Sequence, residues 1–230
     1  MIKGTGFLAG STVTIGGKVA SMEIVTEKEI KAKTAATAAG KDEVVVSYAS
    51  GVASSGGPSF TYVAPPTVAS VTPAEGSTAG GTAIKIKGSG FVAGATVKIG
   101  EEEATGVTIV SETEITAKTG AGAAGKDEVI VTDEKGTSSS GASFTYIQQP
   151  KVTSITPNEG SPAGGTAVVI KGTGFGKGST VAIGGAATSV VVVSETEITA
   201  KTAASTPGVV EVVVTNTGGS STGGPKFTYL

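Results

Sequence analysis

Pairs of glutamates recur at one point of this sequence, and their type and spacing suit them to acid–base chemistry. The pairs are Glu27/Glu29, Glu112/Glu114 and Glu195/Glu197. Two carboxyl groups flanking a glycosidic bond can act as acid and as nucleophile or base. Each pair, however, comes just before a strand-like run that carries Ile30, Ile115 or Ile198. One chain rarely needs the same catalytic pair three times, so the pattern favours a turn and a strand entry.

Acidic runs elsewhere could in principle bind a cation. A calcium cage needs several carboxylate oxygens in one tight loop, and the nearest match is GKDE at Gly40–Glu43 and Gly125–Glu128. The third copy has TPGVVE at 206–211 instead, which argues against a site that the fold requires. Glu101–Glu103 occurs in one copy and is more typical of a solvated hairpin tip than of a site for a cation or a basic partner. We therefore predict no metal site.

Two further patterns fail as catalytic or cofactor sites. GTGFGKGST at Gly172–Thr180 lacks the spacing G-x-x-x-x-G-K-[ST] of a phosphate loop, and no helical pattern follows it. Nucleophilic catalysis by Ser or Thr lacks its usual base because the chain has no His. A Ser–Lys pair is the remaining option, but Lys85 and Lys87 fall on the polar face of a predicted strand. The sequence predicts no enzyme, no catalytic residue and no cofactor.

The composition excludes several classes of partner. All 17 basic residues are Lys, the formal net charge is −2, and the chain has no Cys, Trp or Arg. Such a chain has neither the basic surface nor the guanidinium forks that nucleic-acid binding uses. No apolar run reaches the 18 residues of a membrane span, and the segment from Met1 to Gly4 carries no apolar signal. We expect no nucleic acid and no membrane insertion.

The aromatic residues give little support for sugar binding. Nine of the ten recur at fixed points of a repeat: Phe7, Phe91, Phe175, Phe60, Phe144, Phe227, Tyr62, Tyr146 and Tyr229. Residues fixed in this way are most simply core or strand-end residues. Tyr48 alone is unshared, with Asp133 and Asn216 in its neighbourhood in the other copies. Carbohydrate binding stays an alternative without a stacking platform.

The repeat itself organises the chain. Phe7, Phe91 and Phe175 lie 84 residues apart, and FTYV, FTYI and FTYL mark the end of each copy. Copy two alternates polar and apolar residues in about seven short runs separated by Gly, Ser and Pro. These predicted strands are Thr67–Thr72, Thr82–Lys87, Ala95–Ile99, Val107–Val110, Glu114–Thr119, Glu128–Thr132 and Ser143–Ile147.

Short strands at this spacing predict an all-β protein of three tandem immunoglobulin-like β-sandwiches. We place the repeats at residues 1–64, 65–148 and 149–230, and call them repeats 1, 2 and 3. The short joints carry Pro65, Pro66 and Pro150, and proline favours extended geometry before it. We expect a semi-rigid rod. Gly88, Gly90, Gly172 and Gly174 should form corners that need a positive φ or a close approach.

The combined motifs resemble the IPT/TIG domain. They run P-x-V-x-S-[IV]-x-P-x-E-G-S-x-A-G-G-T-A, then I-K-G-[TS]-G-F, then V-S-E-T-E-I-T-A-K-T, then F-T-Y, and copies two and three match throughout. That family has an immunoglobulin-like fold shared by plexins, Rel-type transcription factors and bacterial surface proteins. The resemblance implies an extracellular or cell-surface location and a structural, spacer or adhesion role, and a carbohydrate-binding or enzyme-accessory module is the alternative. The acidic and neutral loops argue against the DNA-binding branch.

Copy one matches only from Ile2 onward, because Met1 aligns with Lys85 and Val169. Its first strand, the Pro–Glu–Gly turn and the start of its second strand therefore have no counterpart. Either the chain is a fragment of a longer array, or another chain pairs with the open sheet edge. The second explanation predicts protein–protein contacts, including self-assembly into a filament or sheath, through the incomplete sheet of repeat 1.

Overall fold

A computed structural model describes residues 1–138 and 141–230, and the regular structure in these ranges is entirely β. The predicted all-β class is therefore confirmed. None of the described residues belongs to a helix that could cross a lipid bilayer. By its contacts the chain forms two compact units, Met1–Pro65 and Pro66–Leu230. The repeat boundaries after residues 64 and 148 stay a prediction.

Repeat 1 fills the first unit. Its strands are β1 (Ile2–Lys3), β2 (Thr12–Ile15), β3 (Lys18–Val19), β4 (Ser21–Thr26), β5 (Glu29–Lys33), β6 (Gly40–Ser47) and β7 (Ser59–Tyr62). They form one sheet of order β1-β5-β4 and another of order β3-β2-β6-β7. The two sheets enclose a small core of Phe7, Val13, Ile15, Ala20, Ile30, Val44 and Val46.

Repeat 2 begins the second unit and is more complete. Its strands are β8 (Thr67–Thr72), β9 (Glu75–Ser77), β10 (Ala83–Ser89), β11 (Thr96–Ile99), β12 (Glu102–Glu103), β13 (Thr105–Ser111), β14 (Glu114–Lys118), β15 (Gly125–Asp133), β16 (Gly136–Thr137) and β17 (Ser143–Ile147). One sheet has the order β13-β14-β10-β8, and the other has β12-β11-β15-β17-β9 with β16 paired to β15.

Repeat 3 has the same plan. Its strands are β18 (Lys151–Thr156), β19 (Glu159–Gly160), β20 (Ala167–Thr173), β21 (Thr180–Ile183), β22 (Thr188–Ser194), β23 (Glu197–Lys201), β24 (Gly208–Asn216), β25 (Gly219–Ser220) and β26 (Lys226–Tyr229). The sheets have the orders β18-β20-β23-β22 and β19-β26-β24-β21.

The core of each complete repeat comes from the inward residues of both sheets, as the period-two pattern requires. In repeat 2, Ile86 of β10 and Ile115 of β14 face Val129 of β15 and Phe144 of β17 within one buried cluster. The lysines on either side of Ile86, Lys85 and Lys87, are exposed. Three tandem immunoglobulin-like sandwiches are therefore confirmed.

All seven strands predicted in repeat 2 exist, but the segment after β8 corrects the prediction. Glu75–Ser77 lies between the first two predicted strands, where the sequence predicts no strand, and it forms β9, which pairs in parallel with β17. The chain leaves the first sheet after β8 and joins the edge of the second sheet as β9. We call Thr67–Ser77 the crossing segment, because its strands β8 and β9 each form the edge of one sheet of repeat 2.

Candidate functional site

The glutamate pairs support hairpin turns through their backbone. Glu112 lies in the turn between β13 and β14, and its carbonyl accepts a hydrogen bond from the N–H of Phe91 at 3.0 Å. The other repeats have the same bond, from Phe7 N–H to Glu27 O at 3.0 Å and from Phe175 N–H to Glu195 O at 3.1 Å. The turn thus fixes the loop on which the buried Phe lies.

The acidic side chains face lysines or solvent. Lys85 Nζ lies 3.0 Å from Glu114 Oε1, and Lys171 Nζ lies 4.0 Å from Glu197 Oε2. Glu101 lies in the turn between β11 and β12, and Glu102 and Glu103 form β12; all three are exposed, and Lys98 Nζ is 3.9 Å from Glu103 Oε1. The two GKDE runs open β6 and β15 rather than loops. Within the described residues, no three acidic side chains are grouped to hold a metal ion.

The GTGFGKGST segment runs from the end of β20 through a loop into β21, and a strand follows it where a phosphate loop would have a helix. Its glycines instead serve the corner. Gly90 and Gly174 have φ values of 75° and 73°. A Cβ on Gly88 would overlap the carbonyl oxygen of Thr67, and one on Gly172 that of Lys151. The positive φ expected at these corners is therefore found at Gly90 and Gly174, and the close backbone approach at Gly88 and Gly172.

The carbonyl of the second corner glycine is capped differently in each repeat. Tyr48 Oη donates to Gly6 O at 2.7 Å, Lys135 Nζ donates to Gly90 O at 3.0 Å, and Asn216 Nδ2 donates to Gly174 O at 2.9 Å. Tyr48 lies in the same sheet register as Asn216, because Ser47 pairs with Thr12 as Thr215 pairs with Thr180. The unshared tyrosine is thus one of three solutions to the same backbone requirement.

Repeat 1 differs from its neighbours at one edge of each sheet. In repeat 2, β10 lies between β14 and β8, and β17 lies between β15 and β9. In repeat 1, the corresponding strands β1 and β7 are both terminal strands of their sheets. Terminal strands present unpaired N–H and C=O groups. We call the free sides of β1 and β7, with the groove between them, the open edge of repeat 1.

The open edge contains glycines whose equivalents touch the crossing segment. Gly4 and Gly57 correspond to Gly88 and Gly141, because GTGF matches GSGF and Gly57 precedes Phe60 by the spacing that separates Gly141 from Phe144. A Cβ on Gly141 would overlap the carbonyl oxygen of Val68. A Cβ on Gly4 would meet only the ring of Phe7, at 2.7 Å. A Cβ on Gly57 would lie 2.7 Å from the carbonyl oxygen of Val44, within repeat 1 itself. Repeat 1 therefore has at Gly4 a glycine without the strand that requires it in repeat 2, whereas its own backbone requires Gly57.

Two cavities make up the groove. One has a volume of about 250 Å³ and is lined by Ile2, Gly4, Phe7, Val46, Tyr48 and Gly57 among others. The other has a volume of about 190 Å³ and is lined by Ile2, Ile15, Ala32, Val44 and Phe60 among others. Ile2, Lys3, Val44 and Pro58 line both. The groove is thus continuous, mostly apolar, and bordered by a single charged side chain, Lys3.

The aromatic pair beside the groove shows the consequence. Phe60 is 42% exposed, whereas Phe144 and Phe227 are fully buried. The rings of Phe60 and Tyr62 keep the edge-to-face contact of the other repeats, with centroids 4.9 Å apart. Phe60 is therefore a residue of the last strand of repeat 1 and not of its core, because no strand of repeat 1 covers its ring as β9 covers Phe144.

The open edge combines backbone donors and acceptors with an apolar floor. It contains no paired nucleophile and base, and it has the features of an edge on which a further strand can pair, from whichever part of the protein that strand comes. The sequence located the edge from the missing first strand. It missed β9, because Glu-Gly-Ser is too short for a period-two pattern, although the triplet recurs at Glu159–Ser161.

Comparison with known proteins covers nearly the whole chain. The family model described as IPT/TIG domain matches residues 1–62, 66–146 and 150–229. Fibrocystin-L of Homo sapiens is 32% identical over 169 residues, which are 71% of this chain and 4% of fibrocystin-L. The chain thus spans a small part of that relative.

Solved structures include similar chains at low identity. The plexin A4 extracellular region aligns with a TM-score of 0.43 and 14% identity over 99% of this chain and 32% of that chain. A crystal structure with a xylogluco-oligosaccharide aligns with a TM-score of 0.41 and 18% identity over 98% of this chain and 55% of that chain.

Proposed function

Because this chain belongs to the IPT/TIG domain family, we propose that it is a non-enzymatic segment of an extracellular or cell-surface protein and acts there as a spacer or adhesion rod. Each repeat has its own buried core, as a separate domain does. The net charge of −2 and the absence of Arg favour protein partners over nucleic acid.

Direct bonds between repeats 2 and 3 support the spacer role. Ser77 Oγ donates to Gly218 O at 2.8 Å, and Thr217 Oγ1 donates to Glu75 Oε1 at 3.1 Å. Asn216 Nδ2 also donates to Gln148 O in the linker at 3.1 Å. These bonds join the β24–β25 turn of repeat 3 to β9 and the end of β17, and each restricts bending at this joint.

The open edge of repeat 1 is the observation that carries the adhesive part of the proposal. Two unpaired strands border an apolar groove, and Phe60 is exposed beside it. Unprotected edges of this kind pair with other chains. We propose protein–protein contact through sheet edges such as this one, including self-assembly, as the adhesive function.

Sedimentation velocity across a concentration series of the full chain tests self-assembly. We expect a rising weight-average sedimentation coefficient, and we expect Phe60→Glu to abolish the rise by placing a charge in the groove. The matched control is Val209→Glu, because Val209 is also an exposed apolar residue but lies outside the groove. A concentration-independent monomer would rule out self-assembly.

The alternative is a carbohydrate-binding or enzyme-accessory module. The observation in its favour is the exposed ring of Phe60 next to Tyr62, since an exposed aromatic face can stack on a sugar. A glycan array probed with the full chain and with Phe60→Ala separates the two functions. Retention on defined glycans that the substitution removes would favour the alternative, and no retention would exclude it.

A further inference from the structure

The turn between β24 and β25 of repeat 3 packs directly on repeat 2. Gly218 in this turn is buried, and a Cβ on it would overlap the carbonyl oxygens of Ile147 and Gln148. Ile147 ends β17 of repeat 2, and Gln148 begins the linker that follows. An approach this close is possible only for a residue without a Cβ. At Gly218, therefore, the backbone of repeat 3 lies against the backbone of repeat 2 and its linker.

Hydrogen bonds surround this backbone contact. Ser77 Oγ of β9 donates to the Gly218 carbonyl at 2.8 Å, and Gln149 Nε2 of the linker donates to Ser220 O on β25. Each bond of this kind contributes about 1 kcal/mol when its partners stay in place. Both bonds lie next to the point of closest approach. They consequently depend on Gly218, because a side chain there would move the turn away from repeat 2.

The requirement for glycine comes from the joint and not from the turn. In repeat 3, Asn216 Oδ1 accepts a hydrogen bond from Gly218 N at 2.7 Å, and in repeat 2, Asp133 Oδ1 accepts one from Lys135 N at 2.8 Å. The glycine after each donor has a φ of 127° in repeat 3 and 134° in repeat 2. The two turns thus have one geometry, and repeat 2 forms it with a lysine at the position of Gly218.

From these contacts we infer that Gly218 couples repeats 2 and 3, so that each stabilises the other against unfolding and the joint between them bends little. This inference rests on the spacer part of the proposed function, since it names the residue that stiffens the joint. The coupling is reciprocal, because contacts that form only when both repeats are folded are lost when either one unfolds. A side chain at position 218 separates the two backbones and breaks the bonds beside them.

Native-state hydrogen exchange of the full chain measures the coupling. The variant is Gly218→Lys, which gives repeat 3 the residue that repeat 2 has in the same turn. In repeat 2, the amides of Val129 and Val131 are bonded within the repeat, to Ala142 O and Ser138 Oγ. We expect these amides to exchange about tenfold faster or more in the variant, because the bonds across the joint are lost. A purely local effect in repeat 3 would leave them unchanged.

The matched control is Gly176→Lys, in the loop between β20 and β21 of the same repeat. Among the described residues, none has an atom within 4 Å of a Cβ placed on Gly176. The equivalent positions of repeats 1 and 2 hold Leu8 and Val92, so the loop accommodates a side chain. The control makes the same chemical change without a collision at the joint. We expect the amides of Val129 and Val131 to exchange within about twofold of their rates in the unsubstituted chain.

Distances between two spin labels measure bending at the joint by pulsed electron paramagnetic resonance. The labels are attached to Lys118→Cys and Lys201→Cys, which are exposed residues at the ends of the equivalent strands β14 and β23. The chain has no Cys of its own, so labelling is confined to these two sites. We expect a narrow distance distribution without further substitution and with Gly176→Lys, and a broader one with Gly218→Lys.

Unchanged exchange in repeat 2 of the Gly218→Lys variant, or equal acceleration by Gly176→Lys, would overturn the inference. The distance distributions separate its failure from failure of the proposed function. Narrow distributions in every variant would retain the spacer role and overturn the assignment to Gly218. A broad distribution in the chain without Gly218→Lys would remove the spacer role and the inference together.

Discussion

Repeats 1 and 2 carry the same aromatic pair on the same strand, yet the two pairs have different surroundings. Phe144 and Tyr146 are buried, and Tyr146 Oη donates to Gly120 O at 3.1 Å. Phe60 is 42% exposed. The strands that hold the two pairs have the same register with β15 and β6. Burial of these rings is therefore decided by the crossing segment, which comes from a distant part of the repeat, and not by the local sequence.

The largest test of this comparison truncates the equivalent rings. Phe144→Ala should lower the free energy of unfolding of repeat 2 by about 3–5 kcal/mol, because it removes a buried ring and leaves a cavity. Phe60→Ala should lower that of repeat 1 by less than about 2 kcal/mol, since part of its ring already contacts water. Hydrogen exchange of the amides of repeat 1 and of repeat 2 in the full chain measures both. Equal losses would show that the crossing segment does not control the rings.

A second test adds one methyl group at the equivalent glycines. Gly88→Ala should cost about 1–3 kcal/mol, because the new Cβ overlaps the backbone carbonyl of Thr67, which cannot move without β8. Gly4→Ala should cost less than about 1 kcal/mol, because only the tip of the Phe7 ring must shift. Calorimetric melting of the two variants checks the difference. A larger effect of Gly4→Ala than of Gly88→Ala would contradict the assignment of the groove.

A third test concerns the caps of the corner carbonyl. Asn216→Ala removes donors to both Gly174 O and Gln148 O and should cost about 1–2 kcal/mol. It should also speed amide exchange around Gln148–Lys151, because the cap joins the linker to repeat 3. Tyr48→Phe removes one donor, to Gly6 O, and should cost about 0.5–1 kcal/mol. Unchanged exchange at the linker in Asn216→Ala would show that this bond does not stiffen the joint.

The smallest expected effect is a dependence of stability on alkaline pH in the complete repeats. Burial raises the pKa of Tyr146 and of Tyr229 above 10.0, and the nearby Asp127 and Glu102 carboxylates raise the pKa of Tyr146 further. An unfolded tyrosine loses its proton near pH 10 while the folded one retains it. The stabilisation is therefore complete below pH 10 and is lost as the pH rises towards the folded pKa.

Urea midpoints for repeat 2 at pH 9 and pH 11 measure this loss. Tyr146→Phe should flatten the fall in stability between the two values, because the substituted ring cannot ionise. The variant also lacks the hydrogen bond to Gly120 O, which lowers its stability at every pH. Its urea midpoint at pH 11 is therefore compared with its own midpoint at pH 9. An unchanged slope in Tyr146→Phe would assign the pH dependence to other groups.

Much of the fold was predictable because it depends on local patterns. Period-two alternation located all seven strands expected in repeat 2, and the corner glycines were recognised from their spacing to a buried Phe. β9 could not be found in this way, because a three-residue strand is defined by its partner β17 and not by its own alternation. The hydrogen bond from Tyr48 to Gly6 O could not be predicted either, because its partners are far apart in the sequence. From the sequence, Tyr48 was only an aromatic residue that the other repeats lack.

The sequence by itself determined the tandem repeat, the all-β class, the family and the absence of a first strand in the match of repeat 1, since these follow from residue types and spacing. Only the tertiary structure decided that Gly4, Gly57 and Phe60 form one continuous apolar groove. Gly4 is far along the chain from Gly57 and Phe60, and strand pairing brings the two segments together. The structure also showed how the first strand covers the equivalent space in repeats 2 and 3. The contact between a glycine and the backbone that covers it forms only in the folded chain.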